Sequence, residues 1–269
     1  MDRSLFALDG KVAVVTGALG RLGPIWIEGL LGAGATVLGL DLAGVESAAF
    51  DGLRERYPGQ VWLGRADIGD RASLIEARRE WIERLGVPHI LVNNAGIDQP
   101  PSATAANFRL EDIPLEICAD ILRVNVLGTF QMTQVFGAEM AAAGRGSIVN
   151  IGSLYASVAP DAHFYDHIRS DPPFLKPPAY GASKAAVVNL TRYFATAWGP
   201  RGVRVNALSP GGVLGGQDPE FIRKFSARVP LGRMADAPDL IGPLLFLASD
   251  ASCYVTGIDL PVEGGFTAW

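Results

Sequence analysis

Lys11-Val12-Ala13-Val14-Val15-Thr16-Gly17-Ala18-Leu19-Gly20-Arg21-Leu22-Gly23-Pro24 opens the stretch that decides the fold. Val12-Ala13-Val14-Val15 is a short, continuous apolar run, the pattern of a strand buried on both faces. Thr16 and the glycines at 17–23 break it, and Pro24-Ile25-Trp26-Ile27-Glu28 opens a helix. Pro24 suits the first turn, where its missing N–H costs nothing. The helix ends near Gly32-Ala33-Gly34, and Thr36-Val37-Leu38-Gly39-Leu40 reads as a second strand closing at Asp41. Strand, glycine loop, helix, strand and acid thus follow within about thirty residues. Such a loop brings backbone amides to a pyrophosphate at a helix N-terminus, and the acid binds a ribose hydroxyl. Gly17, Gly20, Arg21, Leu22, Gly23 and Asp41 are therefore candidate cofactor contacts. A carboxylate at 41 repels a 2′-phosphate, which predicts NAD over NADP, the less favoured cofactor. Arg21, a cation in the loop, is the feature that points the other way.

Working outward, the alternation continues to the C-terminus. Gln60-Val61-Trp62-Leu63 is a third strand running to Asp67-Ile68, with a polar helix over about 73–81. Ile90-Leu91-Val92 is a fourth, ending at Asn93-Asn94-Ala95-Gly96, and a helix over about 115–131 carries Asn125. Gly146-Ser147-Ile148-Val149-Asn150-Ile151 is a fifth, ending at Gly152-Ser153. Val203-Arg204-Val205-Asn206-Ala207-Leu208 is a sixth, ending at Ser209-Pro210-Gly211-Gly212, and a seventh lies near 258–262. This alternation predicts an α/β fold: a Rossmann-type, doubly wound, mainly parallel seven-stranded sheet with helices on both faces. No repeat, low-complexity tract or linker divides it, so residues 1–269 read as one dinucleotide-binding catalytic domain. Ligands bind such sheets outside the carboxyl ends of the strands. Asp67, Ile68, Asn94, Ala95, Gly96, Pro210, Gly211 and Val213 join the candidate cofactor contacts on that edge.

Composition removes other classes. With 269 residues, 49% hydrophobic and 19% charged, the chain is a compact globule rather than a disordered segment. A net charge of -5 without a Lys/Arg cluster argues against a nucleic-acid partner. No apolar run reaches the ~18 residues of a membrane span, and Met1-Asp2-Arg3-Ser4 lacks a signal-peptide pattern. Cys118 and Cys253 are too few for a disulfide framework, and His89, His163 and His167 meet no acidic cluster that completes a metal site. The expectation is a cytoplasmic protein without a metal.

The chemistry is concentrated in Tyr180-Gly181-Ala182-Ser183-Lys184. The apolar spacing that follows is helical, so Tyr180 and Lys184 share one helix face. Such pairs are commonplace surface neighbours, and the surrounding motifs must decide. Together those motifs resemble the short-chain dehydrogenase/reductase family in its shorter, single-domain branch, over nearly the whole chain from Lys11 to Gly265. Asn93-Asn94-Ala95-Gly96 matches the family's segment at the end of the fourth strand. Tyr180-x-x-x-Lys184 matches its active-site helix, Ser153 the serine ending the fifth strand and Asn125 the helical asparagine. Pro210-Gly211 matches the segment near the nicotinamide, and Asp67 the acid near the adenine. The resemblance implies Tyr180 as general acid/base, Ser153 holding the reacting oxygen, Lys184 lowering the tyrosine pKa and holding the nicotinamide ribose, and Asn125 anchoring a proton-relay water. It also implies a homo-oligomer, with a tetramer favoured.

Two departures stand out. The loop spacing Gly17-x-x-Gly20-x-x-Gly23 resembles the family's longer branch, whereas length and Val262-Glu263-Gly264-Gly265 favour the shorter one. Ser153 and Tyr180 also stand further apart than is typical of the family, with an insertion at about 157–178. It reads either as a substrate-recognition flap offering Asp161, His163, Tyr165, Asp166 and His167 to hydroxyls, or as a decorative or oligomer-contact loop. A mobile substrate loop is expected at about 213–235, and the apolar tail with Phe266 and Trp269 is expected at a subunit interface. The favoured function is an NAD-dependent oxidoreductase interconverting a secondary alcohol and a ketone, or lactol and lactone, on a small sugar, sugar acid or polyol. The alternatives are an NADPH-dependent ketoreductase of acyl thioesters and a non-catalytic dinucleotide-binding regulator.

Overall fold

The computed structural model describes residues 3–99 and 107–269. Among them, seven strands form one sheet: β1 (Val12–Thr16), β2 (Thr36–Asp41), β3 (Val61–Arg65), β4 (Ile90–Asn93), β5 (Gly146–Ile151), β6 (Val203–Pro210) and β7 (Asp259–Val262). Every pairing is parallel, in the order β3-β2-β1-β4-β5-β6-β7. The chain winds outward from β1 in one direction and then from β4 in the other. The crevice between these two strands is the switch point where such sheets bind ligands.

The side-chain period of two explains why the strands are apolar throughout. Ala13 and Val15 enter one core layer and Val14 the other, and Ile90 and Val92 are likewise separated from Leu91. The first layer is closed by α1 (Gly23–Gly32), which buries Trp26, Ile27 and Leu30 completely. It also takes α2 (Ala48–Arg56), and, from the far end of the chain, α9 (Ala237–Ala248). The second is covered by α3 (Arg71–Leu85), by α7 (Pro178–Trp198) and by a composite helix. The composite runs as α4 (Leu115–Leu122), a π turn (Arg123–Gly128), α5 (Thr129–Met132), a second π turn (Thr133–Gly137) and α6 (Ala138–Ala142).

Three segments differ from the sequence reading. The sequence reading gives no helix at α2, whose buried face is only Phe50 and Leu53; Ser47 caps it by accepting from the Phe50 amide. The helix expected over about 115–131 runs on to Ala142, because the π turns absorb the change in hydrophobic phase. The segment at about 213–235 holds a further helix, α8 (Pro219–Arg228), rather than an irregular loop. Asp218 caps it through the Glu220 and Phe221 amides, Pro219 fits the first turn, and Phe225 is buried. Phe225 packs into a third apolar cluster with Phe164, Tyr165 and Phe174 of the insertion and Phe266 of the tail. The tail therefore divides: Phe266 belongs to its own chain's core, while Trp269 is 73% exposed.

Candidate active site

A cleft of about 930 Å³ opens at the carboxyl ends of the strands. Its first half is built by the glycine loop. Gly17 has φ +64°, and a Cβ there would stand 2.8 Å from Ala95 Cα. A Cβ on Gly23 would meet the Gly17 carbonyl at 2.3 Å, so the loop can fold onto the start of α1 only with glycine at that position. Asn94 fastens that loop to β4. Its Nδ2 donates to the Thr16 and Gly17 carbonyls, and its Oδ1 accepts from Trp26 Nε1 at 2.8 Å. Asp41, at the end of β2, accepts from the Leu19 amide at 2.7 Å and from the Leu42 amide at 2.8 Å, with its side chain at the cleft. Asp67 and Ile68 line the next wall, where Asp67 accepts from the Gly69 amide at 2.7 Å. The glycine loop, the acid beyond it and the size of the cleft fit a dinucleotide.

Arg21 crosses this half of the cleft. Its guanidinium donates to the Val213 carbonyl and lies where a Cβ on Gly215 would fall, 2.2 Å away. The cation is spent on backbone, tying the glycine loop to the segment after β6, and burial lowers its pKa. Gly20, Leu22, Ala95, Gly96, Pro210, Gly211 and Val213 line the cleft. Gly23 and Asn125 stand behind the wall rather than in it.

The second half is set by α7. Tyr180, Lys184 and Ser153 face one another at the ends of α7 and β5. Lys184 is buried, donates to the Ile151 carbonyl at 2.8 Å, and its Nζ lies 5.8 Å from the Tyr180 ring centre. Asn125 sits in the first π turn, where the local unwinding aims it inward. It accepts from the Ile97 amide at 2.7 Å and donates to the Ile97 carbonyl and to Ser183 Oγ, each at 3.0 Å. Gly96 lies between Asn125 and Lys184, within 3.0 Å of the one and 3.7 Å of the other for a Cβ placed on it.

The electrostatics depart from the expectation that Lys184 lowers the tyrosine pKa. Burial pushes the Tyr180 phenol up to about 12, the Asp98 charge adds to this, and Ser153 pulls it back. Burial likewise pushes the Lys184 ammonium down to about 8, with Asp98 opposing. Burial is the largest cause of both shifts.

The insertion forms the far wall of this half. Of the five polar residues expected to meet hydroxyls, Tyr165 lines the cleft. The others do not. Asp161 and His163 bond each other at 2.9 Å, Asp166 pairs with Lys224, and His167 Nε2 lies 2.8 Å from Asp218. Asp166 and His167 thus latch the insertion to α8. Sequence reasoning missed Asp98, Tyr155 and Lys176, which line the cleft beside Tyr180. The available signals were that Asp98 closely follows Asn94-Ala95-Gly96 and that Lys176 stands as far before Tyr180 as Lys184 stands after it.

The comparisons with known proteins agree with this architecture. A family model described as enoyl-(acyl carrier protein) reductase matches residues 27–267. A D-threitol dehydrogenase of Mycolicibacterium smegmatis is 35% identical, over 97% of this chain and 95% of that protein. The chain belongs to the short-chain dehydrogenase/reductase family. A second dehydrogenase relative, the L-tagatose-forming galactitol 2-dehydrogenase of Cereibacter sphaeroides, is 35% identical with 99% of each chain covered. Among solved structures, a gluconate 5-dehydrogenase of Burkholderia cenocepacia, in complex with NADP and tartrate, superposes with a TM-score of 0.86. It is 29% identical, with each chain fully covered. As a short-chain dehydrogenase/reductase, the protein is an NAD(P)-dependent oxidoreductase acting on CH–OH groups. Among the described residues, no helix is long and apolar enough to cross a membrane, and no group of three or more potential ligands could hold a metal.

Proposed function

We propose that this short-chain dehydrogenase/reductase interconverts a secondary alcohol and a ketone on a small, uncharged polyol or keto-sugar, with NAD as its cofactor. The observation that carries the reading is the convergence of Tyr180, Lys184 and Ser153 on a chamber whose other wall offers Asp98, Tyr155, Tyr165 and Lys176. Those are groups that bind hydroxyls. The M. smegmatis and C. sphaeroides relatives are named for threitol and galactitol, which are such substrates.

When bound, the nicotinamide accepts the hydride in oxidation or returns it in reduction. Gly17, Gly20, Leu22, Asp41, Asp67, Ile68, Ala95 and Gly96 would hold the dinucleotide, with Arg21 tying the glycine loop to Val213, and Pro210, Gly211 and Val213 would hold its nicotinamide end. Ser153 donates to the reacting oxygen and holds it at Tyr180. Tyr180 takes the hydroxyl proton in oxidation and gives it back in reduction. Lys184, fixed by the Ile151 carbonyl, would hold the ribose and offer a cation to the developing phenolate. Asn125 joins the Gly96-Ile97 segment to α7 and would anchor the water that passes the proton outward.

Asp41 supports NAD, because a carboxylate at the end of β2 would repel a 2′-phosphate and Arg21 is committed to the Val213 carbonyl. The NADP bound to the B. cenocepacia structure supports the second cofactor reading. The test is NADH formation from threitol, galactitol, arabinitol and glycerol, wild type against Tyr180→Phe, with NADH and NADPH affinities measured in parallel. Turnover that Tyr180→Phe abolishes, with NADH bound more tightly than NADPH, is the expected result. NADH binding without turnover of any alcohol or ketone would instead support a regulatory protein.

A further inference from the structure

Lys176 is the cation nearest the Tyr180 ring. Its Nζ lies 4.9 Å from that ring centre and 5.6 Å from the Tyr155 ring, whereas Lys184 stands 5.8 Å from Tyr180. Its side chain is only 7% exposed, yet it comes from the insertion, which Pro177 and Pro178 carry straight into α7. A lysine seldom gives up water without a partner. The partner is Asp98 Oδ2, at 2.5 Å. Asp98 is reached from the other side, in the segment after β4, and its side chain is 33% exposed at the cleft.

This pair has chemistry to spare. An ammonium has three donors, and a carboxylate has about four acceptor positions. Among the described contacts Lys176 donates to Asp98 alone. Asp98 Oδ1 accepts from the Gln99 amide, which leaves lone pairs on both oxygens. The aromatic faces of Tyr155 and Tyr180 hold the ammonium without consuming its donors. One donor and one acceptor a hydrogen bond apart match two neighbouring hydroxyls of a polyol. The pair is also internally neutral. A substrate carboxylate seeking Lys176 would have to displace Asp98 or lie beside it as a second negative charge, uncompensated in a desolvated site. Of the other cations lining the cleft, Arg21 is bound to Val213, Arg123 pairs with Asp120 beside Gly69 and Lys184 donates to Ile151.

We propose that Asp98 and Lys176 form the hydroxyl-binding head of the substrate site, clamping the hydroxyls next to the reacting carbon, and that their charge balance selects an uncharged polyol over a sugar acid. The inference rests on the polyol reading above and deepens it. It sets this chain apart from gluconate-oxidising neighbours of the same fold, whose substrate carries a carboxylate.

The test uses the full-length enzyme with NAD, threitol and galactitol as uncharged probes, and gluconate as the acid. The variants are Asp98→Asn, Lys176→Met and Lys176→Arg. kcat/KM is measured for each probe, and calorimetry follows the binding of each probe to the NADH-loaded protein. In the wild type, polyol kcat/KM is expected to exceed gluconate kcat/KM at least tenfold. Asp98→Asn, which keeps the shape but frees the lysine charge, should lower polyol kcat/KM at least tenfold, chiefly through KM, and raise gluconate binding. Lys176→Met should weaken both probe classes, Lys176→Arg should restore part of the polyol affinity, and NADH affinity should stay within about twofold throughout. If polyols are turned over but Asp98→Asn leaves the polyol-to-gluconate ratio unchanged, the clamp is wrong and the polyol reading stands. If polyols bind the wild type and lose affinity in Asp98→Asn without being oxidised, the clamp stands and the proposed reaction fails. If wild-type protein binds gluconate as tightly as any polyol, or binds no polyol, the clamp is overturned.

Discussion

Burial shifts the pKa values of Tyr180 and Lys184 in opposite directions, and the two shifts have opposite consequences for stability. For Lys184, burial lowers the pKa from 10.5 to about 8, so the folded chain binds its proton less tightly than the unfolded chain does. The unfolded state therefore carries more protons between about pH 8 and 10.5, and stability rises with pH across that window. Below pH 8 the buried ammonium costs roughly 3 kcal/mol, offset by about 1 kcal/mol from its bond to the Ile151 carbonyl. Lys184→Met should accordingly melt no lower than the wild type at pH 7, and its advantage should vanish above pH 10. Thermal melts across pH read this directly, while kcat for alcohol oxidation falls on the order of a hundredfold or more. Tyr180 has the opposite sign. Its pKa is raised to about 12, so the stability it contributes is present below pH 10 and lost as pH rises toward 12. The same shift predicts that alcohol oxidation, which needs a proton acceptor, accelerates with pH from neutrality upward. Carbonyl reduction, which needs a donor, should not. Initial rates in both directions from pH 6 to 11 are the measurement, and oxidation that is flat or falling through that range would contradict the role given to the phenol.

At the scale of elements, the glycine loop and the insertion illustrate opposite kinds of legibility. The loop could be read because its constraint is local: Gly17 needs a positive φ, and Gly23 needs no Cβ against the Gly17 carbonyl. Gly23→Ala is expected to weaken NADH binding by tenfold or more in a fluorescence titration while leaving the far-UV spectrum unchanged. The ends of β1, β2, β4, β5 and β6 could be read for the same reason, since continuous apolar runs stop at the residues that line the cleft. The insertion could not. Its structure comes from contacts distant in sequence, with Phe164 meeting Phe221, Phe225 and Phe266 at centre distances of 5.4 to 6.1 Å. Nothing in the spacing of Phe164, Tyr165 and Phe174 announces those partners. Nor does it announce that Asp166 and His167 turn to α8 while Lys176 turns to Tyr180. The aromatic cluster is separate from the two layers that hold the sheet. Phe164→Ala should thus remove about 3 kcal/mol or more of local packing without unfolding the dinucleotide half. The expected signature is a several-fold rise in polyol KM with NADH affinity within twofold of wild type. An equal loss of both would mean that the cluster supports the whole fold.

For the whole molecule, the distribution of exposed apolar side chains argues for assembly. Phe266 is taken up by its own chain, so the tail offers less than the sequence suggested, and Trp269 is held at its rim by a bond to the Arg228 carbonyl. The larger debt to solvent lies on the composite helix. Leu115 is 76% exposed, Leu127 is 54% exposed, and Leu122 stands between them at 40%. Leu115 and Leu122 stand seven residues apart, on one side of α4. Apolar side chains repeated along one helix, on a chain with net charge -5, mark a self-association face more readily than scattered exposure does. A symmetric pairing would bring the same leucines from two chains together. Light scattering on the purified protein is expected to give a mass greater than that of one chain. Leu115→Glu combined with Leu127→Glu should reduce that mass, because each introduced carboxylate would be buried against its own symmetry copy. Since the face lies on the helix that carries Asn125, loss of assembly should also lower kcat while leaving NADH affinity near wild type. An unchanged mass in the double variant would locate the contacts elsewhere, with Tyr254 (100% exposed) and Leu231 (70%) the next positions to substitute.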